Sequence, residues 1–87
     1  PTGLLSCGSV FKNPHNLHAA QLIDSIGLKG YKIGGAYISI KHANFIISDK
    51  LTKSSDIEKL INFIKKEVFK QREVLLETEV KFIGNKL

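Results

Sequence analysis

From Ser55 to Gln71 the chain runs without a glycine or a proline, and Ile57, Leu60, Ile61, Ile64 and Val68 recur at helical spacing. These five fall on one side of a 3.6-residue helix, with Lys59, Lys65, Lys66 and Glu67 on the other. Ser55 followed by Glu58 has the pattern of a capping box, which sets the start of the helix near Ser55. The whole chain has 87 residues, enough for one small core and not for two. A helix that takes a fifth of such a chain must have its apolar stripe covered by most of the rest.

The remaining segments supply that cover. Ala19, Leu22, Ile23 and Ile26 fall at i, i+3, i+4 and i+7, which predicts a shorter amphipathic helix. Asn16 is its expected cap, and Gly27 stands where a left-handed stop is wanted. Residues 4–12 read as a turn leading into a short strand, closed by Asn13-Pro14 because proline cannot continue a ladder. Leu28–Gly35 reads as a turn and a glycine-kinked extended segment. A strand follows over Ala36–Ile40. Asn44–Ser48 is mostly apolar, as expected of a central strand. Val74-Leu75 and Val80–Ile83 are short β-like runs that end at Gly84. Two helices and several strands in this order predict an α+β domain, a two-layer sandwich with both helices on one face of a short-stranded sheet.

Several function classes fall away on composition. The longest apolar run is only a few residues, so no transmembrane helix is expected. No basic leader followed by an apolar stretch is present, and the single cysteine, Cys7, cannot staple the fold alone; both favour a cytoplasmic setting. The absence of methionine and a start at Pro1 lead us to expect a fragment or a processed piece. The net charge of +5 attracts anionic partners without choosing among nucleic acid, an acidic membrane face and a nucleotide diphosphate. Lys59, Lys65, Lys66, Lys70 and Arg72 account for much of it as the wet side of the long helix.

Few residues invite chemistry on their own. Ser9, between Gly8 and a strand, sits where backbone approaches a ligand closely, although a turn or strand-edge hydroxyl is the ordinary role of such a serine. His15, His18 and His42 have no carboxylate or cysteine neighbours at metal-ligand spacing, so no metal site is expected. Cys7 lacks a partner base and reads as a small buried hydrophobe. Gly27-Leu28-Lys29-Gly30 has the GxxG spacing with which KH domains clamp RNA backbone. That alternative makes the chain a small basic RNA-binding module. It requires a helix on each side of the loop, whereas glycines and β-formers follow here. On the same loop, Lys29 and Lys32 are placed to neutralise a pyrophosphate, if they are not merely solvated.

Four blocks carry a resemblance. Gly8-Ser9-Val10-Phe11-Lys12-Asn13-Pro14 is similar to the signature that opens the last domain of UDP-N-acetylenolpyruvoylglucosamine reductases. Leu22–Ala36 resembles that family's helix-to-glycine segment, and Lys41–Ile47 the strand after it. Glu77-Thr78-Glu79-Val80-Lys81-Phe82-Ile83-Gly84 resembles its C-terminal block. The blocks stand in the right order at compatible spacings over nearly the whole chain, so residues 1–87 are expected to form the C-terminal, substrate-binding domain of such an enzyme.

The resemblance implies a bacterial, cytoplasmic reductase of peptidoglycan synthesis that converts UDP-N-acetylglucosamine enolpyruvate to UDP-N-acetylmuramate with NADPH and FAD. Both cofactors are held mainly by preceding domains that these 87 residues do not include, and no glycine-rich dinucleotide motif is found here. The fragment alone is expected to bind no cofactor and to be inactive, with the FAD-binding domains of the same enzyme as its partner and neither nucleic acid nor membrane among its ligands. By the family's motifs, Ser9 is the general acid that protonates the carbon left negative beside the substrate carboxylate. Glu79 helps to polarise or protonate the same enolate. Asn13 and Lys29 match positions that hold the uridyl diphosphate half, and His42 a position near the enolpyruvyl carboxylate. Lys12 and Lys32 are further cations. Two residues depart from the pattern: Thr78 replaces a common proline, and Lys81 replaces a frequent arginine, losing any bidentate grip on a carboxylate.

Overall fold

A computed structural model describes residues 4–49 and 52–79, with side chains from Ser9 to Ser48 and from Thr52 to Glu79. The expected run Val80–Ile83, with Lys81 and the Gly84 that ends it, and the side chain of Cys7 lie outside these described residues. Six elements follow in the order β1 (Leu4–Ser9), α1 (Ala19–Ser25), β2 (Lys32–Ile33), β3 (Ala36–Ile38), β4 (Phe45–Asp49) and α2 (Ser54–Arg72). The strands form one antiparallel sheet in the order β1-β4-β3-β2. The α+β architecture is as expected, and the apolar Asn44–Ser48 run does become an inner strand, flanked by β1 and β3.

The long helix is built as its periodicity requires. Leu60, Ile64 and Val68 are fully buried, with Ile57 and Ile61 half-buried beside them. They pack on β2 and β3 and against α1, which contributes the buried Ala19 and Ile23. Val10, Phe11, Leu28, Ala36, Ile38, Ala43, Ile46 and Leu76 complete the same core. At the end of α1 the Gly27 N–H donates to the Asp24 carbonyl and the Leu28 N–H to the Ile23 carbonyl. Gly27 has φ +77°. This is the paired bonding of a Schellman stop, with Ile23 and Leu28 as its apolar contact, so the expected role of Gly27 holds.

At four places the structure departs from the local sequence pattern. Asn16 does not cap α1; His18 holds the cap position without a side-chain bond, and Asn16 itself has φ +60°. The bond comes from further back, where the Ala19 N–H donates to Asn13 Oδ1 at 2.9 Å. Nor does the Ser55–Glu58 box form: α2 begins at Ser54, after Lys53, with no side-chain cap bond. The extended reading of Leu28–Gly35 gives way to a two-residue hairpin, in which Ile33 pairs with Ala36 across Gly34-Gly35. Finally, Val74-Leu75 forms no strand. Only Thr78 of that region pairs, in a single bridge to Phe11.

The hairpin explains one glycine. Gly34 has φ +58°, and a Cβ there would fall on the Asp56 carboxylate from the first turn of α2. Only the first central residue of the turn needs a positive φ, the pattern of a type II′ hairpin. Gly34→Ala should therefore cost stability twice, through left-handed backbone and through the clash, by about 1–3 kcal/mol in all. In an Asp56→Ala background the clash part should vanish, leaving about 1–2 kcal/mol. Urea midpoints of the four proteins give the comparison; equal penalties in both backgrounds would show that the carboxylate is no obstacle.

Candidate functional site

Leaving the sheet, β1 does something a regular strand cannot. Cys7 pairs with Ile46 and Ser9 with Phe45, so Gly8 is an extra residue, a β-bulge immediately before Ser9. A bulge redirects the side chains that follow it, and glycine is the residue that tolerates one best. Past the bulge the segment Val10–Lys12 crosses between two neighbours. On one side, the Val10 N–H donates to the Asn44 carbonyl at 2.9 Å. On the other, the Lys12 N–H donates to the Glu77 carbonyl at 2.9 Å and the Glu79 N–H to the Val10 carbonyl at 2.6 Å. Glu79 is thereby bonded to Val10, the residue after Ser9, although Ser9 and Glu79 are more than sixty residues apart in sequence.

The crossing segment is gripped a second time by a side chain. The Phe11 N–H donates to Asn44 Oδ1 and the Asn44 Nδ2 donates to the Phe11 carbonyl, both at 3.0 Å and buried. Nothing in the residue pattern marked Asn44 out. Its only signal was a polar residue at the head of an apolar strand.

Of the other candidates, Lys12 and Asn13 line a cleft of about 230 Å³ together with Pro14, His15, Leu75 and Glu77. Lys12 Nζ stands 3.7 Å from Glu77 Oε1 across it, with both side chains mostly exposed. Asn13 Oδ1 is committed to the start of α1, which leaves its Nδ2 group to offer a ligand. Lys29 and His42 meet at a smaller hollow of about 130 Å³, with Asp24, Lys41, Gln21 and Ala43. Lys29 rides between Gly27 and Gly30, both left-handed, and lies 3.5 Å from Asp24 Oδ2. Exposed pairs of this kind are worth about 0–1 kcal/mol, so neither carboxylate holds its lysine firmly. His42 lies over Phe45, ring centroids 5.0 Å apart. Its turn is held by buried Ser39, whose Oγ accepts the N–H groups of Lys41 and His42. Lys32 is exposed on β2 and lines neither hollow.

The Gly27–Gly30 loop joins a helix to a strand, because α1 precedes it and β2 follows. A KH clamp lies between two helices, and that junction is not what this loop makes. Among the described residues no three His, Cys, Asp or Glu side chains are grouped to hold a metal ion, and no helix is long and apolar enough to cross a membrane.

Comparison with known proteins bears on the same residues. The family described as the C-terminal domain of UDP-N-acetylenolpyruvoylglucosamine reductase matches residues 1–83. The UDP-N-acetylenolpyruvoylglucosamine reductase of Prochlorococcus marinus (strain NATL2A) is 53% identical over 79 residues, covering 91% of this chain and 27% of that protein. The protein of the same name from Synechocystis sp. is 51% identical over 79 residues, covering 91% and 25%. In the crystal structure of UDP-N-acetylenolpyruvylglucosamine reductase from Thermus caldophilus, a region 37% identical in sequence superposes with a TM-score of 0.64, over 83% of this chain and 26% of that one. The chain thus spans about a quarter of the length of the relatives it matches. In sequence and in fold, it belongs to the family of UDP-N-acetylenolpyruvoylglucosamine reductase C-terminal domains.

Proposed function

We propose that this chain is the substrate-binding and proton-donating part of a reductase that converts UDP-N-acetylglucosamine enolpyruvate to UDP-N-acetylmuramate, for peptidoglycan synthesis in the bacterial cytoplasm. The observation that carries the reading is the pair of backbone bonds that hold Glu77 and Glu79 against Lys12 and Val10, directly after the bulge that precedes Ser9.

Reducing the enolpyruvyl double bond leaves negative charge on the carbon beside the carboxylate. That carbon needs a proton, and Ser9 Oγ–H is the donor in this reading; the serine recovers its proton afterwards from solvent. A serine is a weak acid, so the alkoxide it becomes must be stabilised as it forms. In this reading the stabilising positive charge comes from among Lys12, Lys29 and Lys41, which line the two hollows. Glu79 acts on the same enolate from the adjoining segment. Lys29 and Asn13 Nδ2 take the uridyl diphosphate half, and His42 takes the substrate's carboxylate end, with Lys12 as a further cation.

The described residues do not fit a flavin or a nicotinamide nucleotide. Both hollows are small, about 230 and 130 Å³, below the roughly 300–1,000 Å³ of ordinary cofactor pockets. FAD and NADPH belong, in this reading, to the part of the complete enzyme outside the chain. That FAD-binding portion is also the chain's partner, and the chain by itself is inactive.

In the complete protein, NADPH oxidation should depend on UDP-N-acetylglucosamine enolpyruvate, and Ser9→Ala should lower kcat by about 100-fold or more, the range of a lost general acid. The dissociation constant for UDP-N-acetylmuramate should hardly change. A Ser9→Ala enzyme of ordinary kcat would remove Ser9 from the role of acid. Asn13→Ala tests a double duty. It should weaken UDP-sugar binding and also cost about 0.5–2 kcal/mol of stability through the lost bond to Ala19. Calorimetric titration and thermal melting separate the two effects; a change in binding alone would mean that the bond to Ala19 contributes nothing.

A further inference from the structure

Resting on that reading of Ser9 and Glu79, we infer that Asn44 is a positioning residue for the reaction: its side-chain amide sets where the segment carrying the acid lies. Four observations converge on it. Asn44 is buried, 9% exposed. Its backbone carbonyl accepts from Val10, its Oδ1 accepts from the Phe11 N–H, and its Nδ2 donates to the Phe11 carbonyl. Phe11 is itself buried and pairs across its other edge with Thr78, which brings Glu77 and Glu79 onto Lys12 and Val10. Asn44 also follows His42 by two residues, so the turn bearing one candidate ligand and the segment bearing the acid share this one amide.

The chemistry of the position favours asparagine over its neighbours in size. Once the bulge at Gly8 has turned β1 out of register, the chain beyond it needs both a donor and an acceptor to satisfy Phe11. A carboxamide offers both at once on one rigid plane. Aspartate, when ionised, keeps only acceptors, alanine keeps neither, and glutamine carries the plane one methylene too far. The His42 turn has its own support in Ser39 Oγ. Losing the Asn44 amide should therefore release Ser9 and Glu79 while leaving the substrate-holding side in place. Displacement of a reacting group by about 1 Å is enough to cost on the order of 100-fold in rate.

The test uses the complete protein, with Asn44→Ala beside Ile64→Ala, a truncation in the core stripe of α2 that removes no hydrogen bond from either segment. Three quantities are measured: kcat, the dissociation constant of UDP-N-acetylmuramate, and backbone hydrogen exchange by mass spectrometry. For Asn44→Ala we expect kcat to fall at least ten-fold while the dissociation constant stays within about three-fold. Exchange should quicken in peptides covering residues 10–12 and 77–79 and nowhere else. Ile64→Ala should lower the melting temperature and loosen exchange broadly, with kcat nearly unchanged. The inference is overturned if Asn44→Ala keeps its kcat, or if it matches Ile64→Ala in every measure. Should Asn44→Ala not accumulate as folded protein, the isosteric Asn44→Asp is judged by the same criteria. A complete wild-type protein without enolpyruvate-dependent NADPH oxidation would overturn the functional reading itself, a result distinct from either variant's.

Discussion

One buried amide stands where a backbone ladder gives out. β1 leaves the sheet through the bulge at Gly8, and from Phe11 onward the groups that would have paired with β4 are met by the Asn44 side chain instead. Each bond of this kind contributes about 1 kcal/mol net, but leaving Phe11 buried with neither partner costs about 1–3 kcal/mol for each orphaned group. The asymmetry makes the grip firm. It also makes the far edge of the crossing segment available, and that edge receives Glu77–Glu79. The C-terminal segment is therefore ordered against Val10–Lys12, a stretch held by the side chain of Asn44 just ahead of β4, at a point where the sheet itself has no strand left to offer.

Around this point the hydrophobic core does the ordinary work. α2 presents Leu60, Ile64 and Val68 to β2, β3 and α1, and burying such side chains contributes roughly 1.5–3 kcal/mol each before entropy is charged against it. The short hairpin at Gly34-Gly35 and the Schellman stop at Gly27 keep the connections brief, so that little chain is wasted between elements. Arg72, at the last turn of α2, donates to the hydroxyl and carbonyl of Ser25 and ties the two helix ends together. Tyr31 and Phe63 stack at 4.4 Å and do the same between the start of the sheet and α2. The result is a packed platform on which the loops carrying Lys29 and His42 leave from hydrogen-bonded turns.

In the proposed reading the platform carries only part of a site. Lys12 and Asn13 line one small hollow and Lys29 and His42 another, and Lys12 and Lys29 lie beside the exposed carboxylates of Glu77 and Asp24. Small and open hollows are what is expected of a surface completed by another body of protein, since drug-sized or cofactor-sized ligands are ordinarily enclosed. The chain covers about a quarter of each relative's length, which agrees with that picture.

By itself the sequence determined the two apolar stripes of α1 and α2, the stop at Gly27, the inner strand and the family. Periodicity and glycine placement are local, and four ordered blocks are hard to imitate by chance. Helix starts were less legible. Asn16 and the Ser55–Glu58 pair had the right residue types, yet a cap is decided by the direction of the incoming chain, and at α1 that chain brought Asn13 instead. The hairpin at Gly34-Gly35 was hidden because two glycines serve equally well as a kink or as a turn, until Asp56 of a distant helix closes over the first. Asn44 was invisible for the same reason. Its importance lies in a partner thirty-three residues away, and only tertiary structure, which brings the end of one strand against the head of another, decides that pairing.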